Sequence, residues 1–192
     1  MIIFLHGTSS SGKTSIANQI LQQSRIDFVH LEMDQVFEDD PKSIQENGRT
    51  VYVHRPMWLR LECTLAKGSN VILDGFFGSE RELSYYIKPF SMAKIYVIRI
   101  YAPSEVCTIR ESRRADRTHK GVAAYFHKVI ESNFLGYDLL IDTSKIKPSK
   151  SATKILEFLK INPLPMAFDS KLKGSVASIE NEFKICYKEI KD

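Results

Sequence analysis

The chain has 192 residues, of which 43% are hydrophobic and 26% charged, with a formal net charge of +4. This composition is typical of one folded domain with an apolar core and excludes an intrinsically disordered chain. Acidic and basic residues balance over residues 1–144, and the positive excess in residues 145–192 is typical of a solvated helix face, so the charge argues against a nucleic-acid partner.

Apolar runs that predict buried strands alternate along the chain with segments of helical spacing. The predicted strands cover residues 2–5, 28–33, 70–73, 94–102 and 139–141, and the predicted helices cover 14–23, 56–67, 79–90, 122–132 and 150–159. This alternation predicts an α/β fold with a five-stranded parallel sheet and helices on both faces. Such sheets bind ligands at the carboxyl ends of their strands, so we expect the chemistry at that edge.

Two prolines interrupt the chain after the last predicted helix, in Asn162-Pro163-Leu164-Pro165. Beyond them a second helical pattern carries an apolar stripe of Val176, Ile179, Phe183, Cys186, Tyr187 and Ile190. We therefore predict one domain over residues 1–160 and a C-terminal helical extension over residues 161–192. The stripe predicts that the extension packs on the same domain, with a partner surface as the alternative.

The first predicted strand runs directly into a Walker A phosphate loop with the pattern G-x-x-x-x-G-K-[ST]. Its glycines allow conformations closed to other residues, and backbone N–H groups together with the next helix N-terminus face the phosphates. The residues predicted to bind the nucleotide are Gly7, Thr8, Ser9, Ser10, Ser11, Gly12, Lys13, Thr14 and Ser15. Lys13 supplies positive charge and the Thr14 hydroxyl is a Mg²⁺ ligand, so the loop predicts a bound nucleoside triphosphate. A serine-rich turn without a ligand is the alternative.

Two aspartates follow predicted strands at the expected ligand edge. Asp34 follows the second strand, where a carboxylate can accept a proton from an acceptor hydroxyl, although it could also cap a helix. Glu32 is the less suitable candidate for the base. Asp74 ends the third strand in the arrangement of a Walker B element, so we expect it to hold Mg²⁺ with Thr14 or to contact the acceptor.

Four arginines lie within the eight residues 110–117, after the fourth predicted strand. In a helix, Arg110, Arg113, Arg114 and Arg117 would share one face, and their guanidinium groups would match phosphate oxygens. We predict a lid over the triphosphate in which Arg110 and Arg114 bind the nucleotide, and Arg114 and Arg117 stabilise the charge that develops during transfer. A solvated basic helix is the alternative.

Aromatic residues are the candidates for the acceptor pocket. Phe76 and Phe77 follow Asp74, and the segment after the second predicted strand contributes Tyr52, Arg55, Met57 and Trp58. An aromatic wall suits a hydroxylated organic molecule, so Phe76, Phe77 and Trp58 are predicted substrate contacts beside Asp34 and Asp74. Core packing is the alternative for Trp58 and Met57. The five histidines show no metal-ligand spacing and are assigned no role.

The spacing of the cysteines and the length of the apolar runs predict the cellular compartment. Cys63, Cys107 and Cys186 form no C-x-x-C pattern, so we expect reduced thiols and neither a disulfide framework nor a zinc site. No basic and then apolar leader precedes the first strand, and no apolar run approaches the ~18 residues of a membrane span. We therefore expect a soluble cytoplasmic protein without a membrane partner that keeps its N-terminus. The sequence assigns no oligomeric state.

Over residues 1–160 the chain resembles the chloramphenicol phosphotransferase family of small P-loop kinases. The matching residues are Gly7 to Lys13, Met33-Asp34 with Pro41, Val71 to Asp74 with Phe77, Arg110-Glu111 with Arg114-x-Asp116-Arg117, Gly121, Tyr137-Asp138 and Ile141-Asp142-Thr143. The resemblance implies an adenylate-kinase-like P-loop fold, ATP as donor and Asp34 as the base. The chain departs from the family pattern at Gly75, Ala115 and Ser132, which bear on the acceptor, so the resemblance does not extend to chloramphenicol as the substrate.

Three functions follow as hypotheses. The first is an ATP- and Mg²⁺-dependent kinase that phosphorylates a hydroxyl of a small organic molecule. The second is a nucleotide-dependent switch with a protein partner, although the chain lacks the guanine-reading motif Asn-Lys-x-Asp. The third is a kinase of a nucleotide or an RNA end, against which the neutral main domain argues.

Overall fold

A computed structural model of the protein describes residues 1–35, 49–77, 90, 93–115, 121–132, 136–161 and 163–167. The strands are β1 (Ile2–His6), β2 (Phe28–Glu32), β3 (Asn70–Gly75), β4 (Ile95–Tyr101) and β5 (Leu139–Asp142). The helices are α1 (Lys13–Gln23), α2 (Arg49–Ala66), α3 (Ser104–Ser112), α4 (Val122–Ser132) and α5 (Pro148–Lys160).

The five strands form one parallel sheet in the order β2-β3-β1-β4-β5, which confirms the predicted fold class. β1 lies at the centre, between β3 on one side and β4 on the other. The strand order reverses beside β1, so the loop after β1 leaves the sheet at its topological switch point. Ligands of open α/β sheets bind at that position.

Alternate residues of the central strand pack against opposite layers of helices. Phe4 of β1 joins a core that includes Met57 and Leu61 of α2, whereas Ile3 joins a second core with Ile16 of α1 and Ile155 of α5. This division follows from the two-residue period of a strand. Ile2 to Leu5 are fully buried, because helices cover both faces of a parallel sheet.

The predicted elements differ from the observed ones in several places. Met33, which was predicted to end the second strand, instead starts a helical turn over residues 33–35, and α2 begins at Arg49, seven residues before the predicted start. α3 was not predicted as a separate helix. The predicted helix 79–90 lies outside the described residues except for Phe90, as do residues 168–192 of the predicted extension. Within the part of the chain that the structure describes, none of the helices is both long enough and apolar enough to cross a membrane.

Residues 163–167 are held to the main domain by hydrogen bonds with two side chains. Tyr96 donates a hydrogen bond from its hydroxyl to the Pro163 carbonyl over 2.9 Å. The Asp138 carboxylate accepts the backbone N–H groups of Met166 and Ala167 at 2.6 and 3.0 Å. The chain after α5 therefore starts out on the main domain, and the packing of the extension as a whole stays a prediction.

Glu111 near the end of α3 is buried and holds the start of α4. Its carboxylate accepts the backbone N–H groups of Gly121 and Ala123, each over 2.9 Å, and only 3% of the residue is exposed. The carbonyl of Ala123 in turn accepts the Thr8 hydroxyl of the phosphate loop at 2.9 Å. One carboxylate thus links α3, α4 and the loop.

We expect Glu111→Gln to lower the free energy of unfolding by about 1–3 kcal/mol, because the amide leaves one buried backbone N–H without its acceptor. Urea unfolding followed by circular dichroism measures the change. Glu62→Gln is the matched control, since Glu62 is exposed on α2. A loss no larger for Glu111→Gln than for the control would contradict the linking role.

Candidate active site

The loop between β1 and α1 forms a cradle that only small residues allow. A Cβ added at Gly7 would collide with the Ile100 carbonyl oxygen of β4, and Gly12 has a φ of 103° just before α1 begins. Ser10 also has a left-handed backbone, with a φ of 60°. These conformations turn the chain tightly into the N-terminus of α1, as phosphate binding requires.

The hydroxyls of three consecutive serines in this loop are left for a ligand. The Oγ atoms of Ser9, Ser10 and Ser11 are buried, and none of them has a hydrogen-bond partner among the described residues. Buried polar atoms are normally paired, so unpaired hydroxyls beside a helix N-terminus are suited to oxygen atoms of a bound anion. The geometry of residues 7–14 therefore fits the phosphates of a nucleotide.

Lys13 and Thr14, at the start of α1, converge on Asp74 near the end of β3. The Thr14 hydroxyl donates to Asp74 Oδ2 over 2.6 Å, and Lys13 Nζ lies 3.8 Å from Asp74 Oδ1. Lys13 also donates to the Thr8 carbonyl over 3.1 Å. The structure thus brings together the predicted phosphate-binding lysine and both predicted Mg²⁺ ligands.

Asp74 is 5% exposed, and its surroundings have opposing effects on the pKa of its carboxyl group. Burial alone would raise the pKa of Asp74, but the Lys13 ammonium, the His30 ring and the Thr14 hydroxyl outweigh burial and hold the pKa below its usual value. The carboxylate is therefore ionised at neutral pH. An ionised carboxylate beside a threonine hydroxyl is suited to a cation that accompanies a triphosphate.

His6, the last residue of β1, is buried directly before the loop. Burial and the positive charge of Arg99 lower the pKa of His6 to about 3, against the opposing effect of a 3.2 Å hydrogen bond between Nε2 and the Phe77 carbonyl. The imidazole is therefore neutral at neutral pH, and in the tautomer that this bond implies Nε2 carries the proton. His6 adds no positive charge beside the phosphate loop.

Asp34 lies one residue beyond the buried Met33, in the helical turn that follows β2, and it is exposed. The Met33 side chain packs over Gly75, where an added Cβ would collide with the Met33 sulfur. This contact holds the turn over the end of β3, so Asp34 lies at the same edge of the sheet as Asp74. Glu32 also lies at this edge, directly beside Asp74 in the β2–β3 register, with His30 two residues before it.

The aromatic residues predicted for the acceptor pocket separate into two groups. Phe77 is 1% exposed and packs edge-on against Phe4, with ring centroids 5.2 Å apart, so its prediction as a substrate contact is wrong and it is a core residue. Trp58 packs on the same core beside Phe90, which favours the alternative of core packing. Phe76 is partly exposed. The side chains of Tyr52 and Arg55 lie outside the described residues.

Phe76 belongs to a patch that the sequence did not indicate. Its ring stacks on His6 at 6.2 Å and lies 4.2 Å from the ring of Phe126 on α4. We name His6, Phe76 and Phe126 the aromatic patch. It borders the strand ends that carry the phosphate loop and Asp74. Phe126 was missed because no local pattern links residue 126 to residue 76.

The arginine segment differs from its prediction. α3 ends at Ser112. The backbone N–H groups of Arg113 and Arg114 donate hydrogen bonds to the carbonyls of Arg110 and Glu111, three residues earlier, as in the last tight turn of a helix. The predicted continuous helical face is therefore wrong for Arg113 and Arg114, which are exposed. Arg117 lies outside the described residues.

Arg110, by contrast, lies against the phosphate loop. Its guanidinium donates to the Thr143 hydroxyl and carbonyl at 2.9 and 2.8 Å, and the Thr143 hydroxyl donates to the Ser11 carbonyl at 2.7 Å. The loop is thereby tied to the end of β5. Thr143, which follows β5, is a further residue of the site.

Comparisons with known proteins agree with this geometry. A family model described as "Chloramphenicol phosphotransferase-like protein" matches residues 1–160. No curated protein matches the chain. Solved structures that share its fold include a sugar kinase from Janibacter sp. HTCC2649, at 18% identity and a TM-score of 0.62, covering 86% of this chain and 98% of that one.

Two further kinases share the fold at low identity. A shikimate kinase from Bacteroides thetaiotaomicron is 13% identical with a TM-score of 0.63, covering 83% of this chain and 98% of its own. The APS kinase of Mycobacterium tuberculosis, solved with AMPPNP and APS, is 15% identical with a TM-score of 0.60, covering 83% and 96%. At these identities the likeness shows a P-loop kinase fold.

Proposed function

The chain belongs to the chloramphenicol phosphotransferase-like family, and from that premise we propose that it is an ATP-dependent kinase of a small organic molecule. It transfers the γ-phosphoryl group to an acceptor hydroxyl. The observation that carries the proposal is the convergence of Lys13 and Thr14 on the ionised Asp74, beside a phosphate loop at the switch point of the sheet.

ATP and Mg²⁺ are the proposed cofactors. The unpaired serine hydroxyls of the loop support triphosphate binding, and Thr14 with Asp74 are the residues that would hold Mg²⁺. A bound Mg²⁺ ion supplies neutralisation of the β- and γ-phosphate oxygens. Lys13 turns from the Thr8 carbonyl to the outer phosphates and stabilises the negative charge that develops as the phosphoryl group leaves.

Asp34 is the proposed general base. Its exposed carboxylate, in the turn that Met33 holds over Gly75, accepts the proton of the acceptor hydroxyl while that oxygen attacks the γ-phosphorus. The oxygen–phosphorus bond to ADP breaks as the new bond forms. Arg110, beside the phosphate loop, is the proposed nucleotide contact among the arginines, and Arg114 and Arg117 remain proposed contributors to charge stabilisation.

The acceptor is proposed to be an alcohol with an apolar body. The partly exposed ring of Phe76 in the aromatic patch offers a surface on which such a body can pack. Met33 occupies the space above Gly75, at the position where the chain departs from the family pattern. We place the enzyme in the cytoplasm, where ATP is supplied and thiols such as Cys63 and Cys107 stay reduced.

A screen of acceptors by mass spectrometry tests this function. The protein is incubated with ATP and Mg²⁺ and a library of antibiotics, nucleosides, sugars, other alcohols and short RNA oligonucleotides, with the Lys13→Ala variant as the control. We expect one class of alcohol to gain the mass of a phosphoryl group only with the parent protein. Steady ATP hydrolysis without any phosphorylated acceptor would favour a nucleotide-dependent switch, and phosphorylated oligonucleotide ends would favour an RNA-end kinase.

A further inference from the structure

His30, Glu32 and Asp74 form a cluster of possible metal ligands on one face of the sheet. His30 and Glu32 are two residues apart on β2, so their side chains share a face, and Glu32 lies opposite Asp74 in the β2–β3 register. One ligand atom of each residue lies within 4.8 Å of the other two. Neither His30 nor Glu32 has a part in the proposed phosphoryl transfer.

The His30 ring lies, largely buried, between two carboxylates, and one of its nitrogens, Nε2, is without a hydrogen-bond partner among the described residues. Its side chain is 9% exposed. Nε2 faces Asp74 Oδ2 at 3.6 Å, which is too long for a hydrogen bond. Two ligands bound to one metal ion at about 2.0–2.2 Å lie roughly 3–3.5 Å apart, which is close to this separation.

The neighbouring groups favour a cation at this position. Nδ1 of His30 lies 3.4 Å from Glu32 Oε1, and the Glu32 side chain is 36% exposed. Thr14 donates to Asp74 Oδ2 and fixes that carboxylate. The cluster holds two carboxylates, those of Glu32 and Asp74, and the ammonium of Lys13 lies 3.8 Å from Asp74 Oδ1.

We propose that His30, Glu32 and Asp74 bind a divalent transition-metal ion in the absence of nucleotide. An imidazole nitrogen with two carboxylates suits Mn²⁺, Fe²⁺, Co²⁺ or Zn²⁺, whereas Mg²⁺ prefers oxygen ligands and usually arrives with substrate phosphates. The site is therefore distinct in ligand set from the cation of the proposed kinase reaction, although both share Asp74. Its occupancy requires neither ATP nor an acceptor.

Cobalt titration of the full chain tests this site. After treatment with a chelator, the protein is titrated with Co²⁺ without nucleotide and followed by visible absorption. We expect one equivalent of Co²⁺ to bind with d–d bands typical of mixed nitrogen and oxygen ligands, and Zn²⁺ to displace it. Absence of saturable binding in the parent protein would overturn the proposal, and a failed kinase assay would leave this result unaffected.

Matched variants locate the ligands. His30→Ala and Glu32→Gln are expected to weaken Co²⁺ binding by at least about 10–100-fold. Loss of a residue that only orients a metal ligand already has an effect of this size, so loss of a ligand should have one at least as large. His127→Ala, which removes another partly buried histidine, leaves binding unchanged. Equal affinity in His30→Ala and the parent protein would overturn the assignment.

Nuclear magnetic resonance keeps the test independent of variant folding. In the parent protein labelled with ¹⁵N, Zn²⁺ is expected to shift the imidazole nitrogens of His30 and to leave those of His6 and His127 in place. A shift confined to any other histidine would contradict the proposed ligand set.

Discussion

Asparagine in place of Asp34 is expected to lower kcat for phosphoryl transfer by about 10²–10⁴-fold, the usual contribution of a positioned general base. The asparagine side chain has nearly the same shape but cannot accept the proton of the attacking hydroxyl. Because the phosphate loop lies between β1 and α1, away from the turn at residues 33–35, the affinity for ATP should stay within about twofold. Stopped assays of the phosphorylated product and calorimetric ATP titrations measure the two effects.

Asp27→Asn is the matched control for this experiment. Asp27 is exposed directly before β2, at the opposite end of the strand from Asp34, and its carboxylate therefore lies away from the ligand edge. The control is expected to turn over like the parent protein. Turnover of Asp34→Asn close to that of the control would remove Asp34 as the base and direct attention to Glu32 or Asp74.

Replacement of Lys13 by alanine is expected to have the second large effect, on both phosphoryl transfer and ATP binding. The change removes the ammonium that lies 3.1 Å from the Thr8 carbonyl and 3.8 Å from Asp74 Oδ1. Loss of one preorganised group that stabilises developing charge commonly lowers kcat by about 10²–10³-fold, and here ATP binding is expected to weaken as well. Asp74 also loses a charge that lowers its pKa, so the pKa of Asp74 should rise in this variant.

Lys154→Ala, at an exposed position on α5, controls for the loss of one positive charge from the surface. It should leave both transfer and ATP affinity unchanged. Lys13→Arg is expected to restore little activity, because the planar guanidinium is wider than an ammonium and the loop is closely packed. ATP affinity of Lys13→Ala equal to that of the parent protein would argue against triphosphate binding at this loop.

Several parts of the site followed from local sequence. Gly7 to Thr14 could be recognised because the phosphate loop is contiguous and its task is performed largely by its own backbone. Asp74 could be recognised because a carboxylate after an apolar strand, a common pattern by itself, occurs here in the same chain as a phosphate loop. The parallel sheet followed from the alternation of buried strands with amphipathic helices.

Other parts depended on contacts between distant segments. His30 was assigned no role, since only the parallel register of β2 and β3 places its ring beside Asp74. Phe77 was predicted to face the acceptor, but its ring turns into the core against Phe4. The prediction that the arginines share one helical face was wrong at Arg113, because α3 ends at Ser112. Beside that end, the Glu111 carboxylate accepts a backbone N–H group at the start of α4.

The sequence by itself determined the fold class, the phosphate loop and the carboxylates at the strand ends, because each depends on residues that are neighbours in the chain. The tertiary structure alone decided which side chains meet at the end of the sheet. Thr143 reaches the loop from β5, and Phe126 reaches Phe76 from α4. Such contacts depend on strand order and register, which set distances between segments far apart in sequence and leave no local pattern in either one.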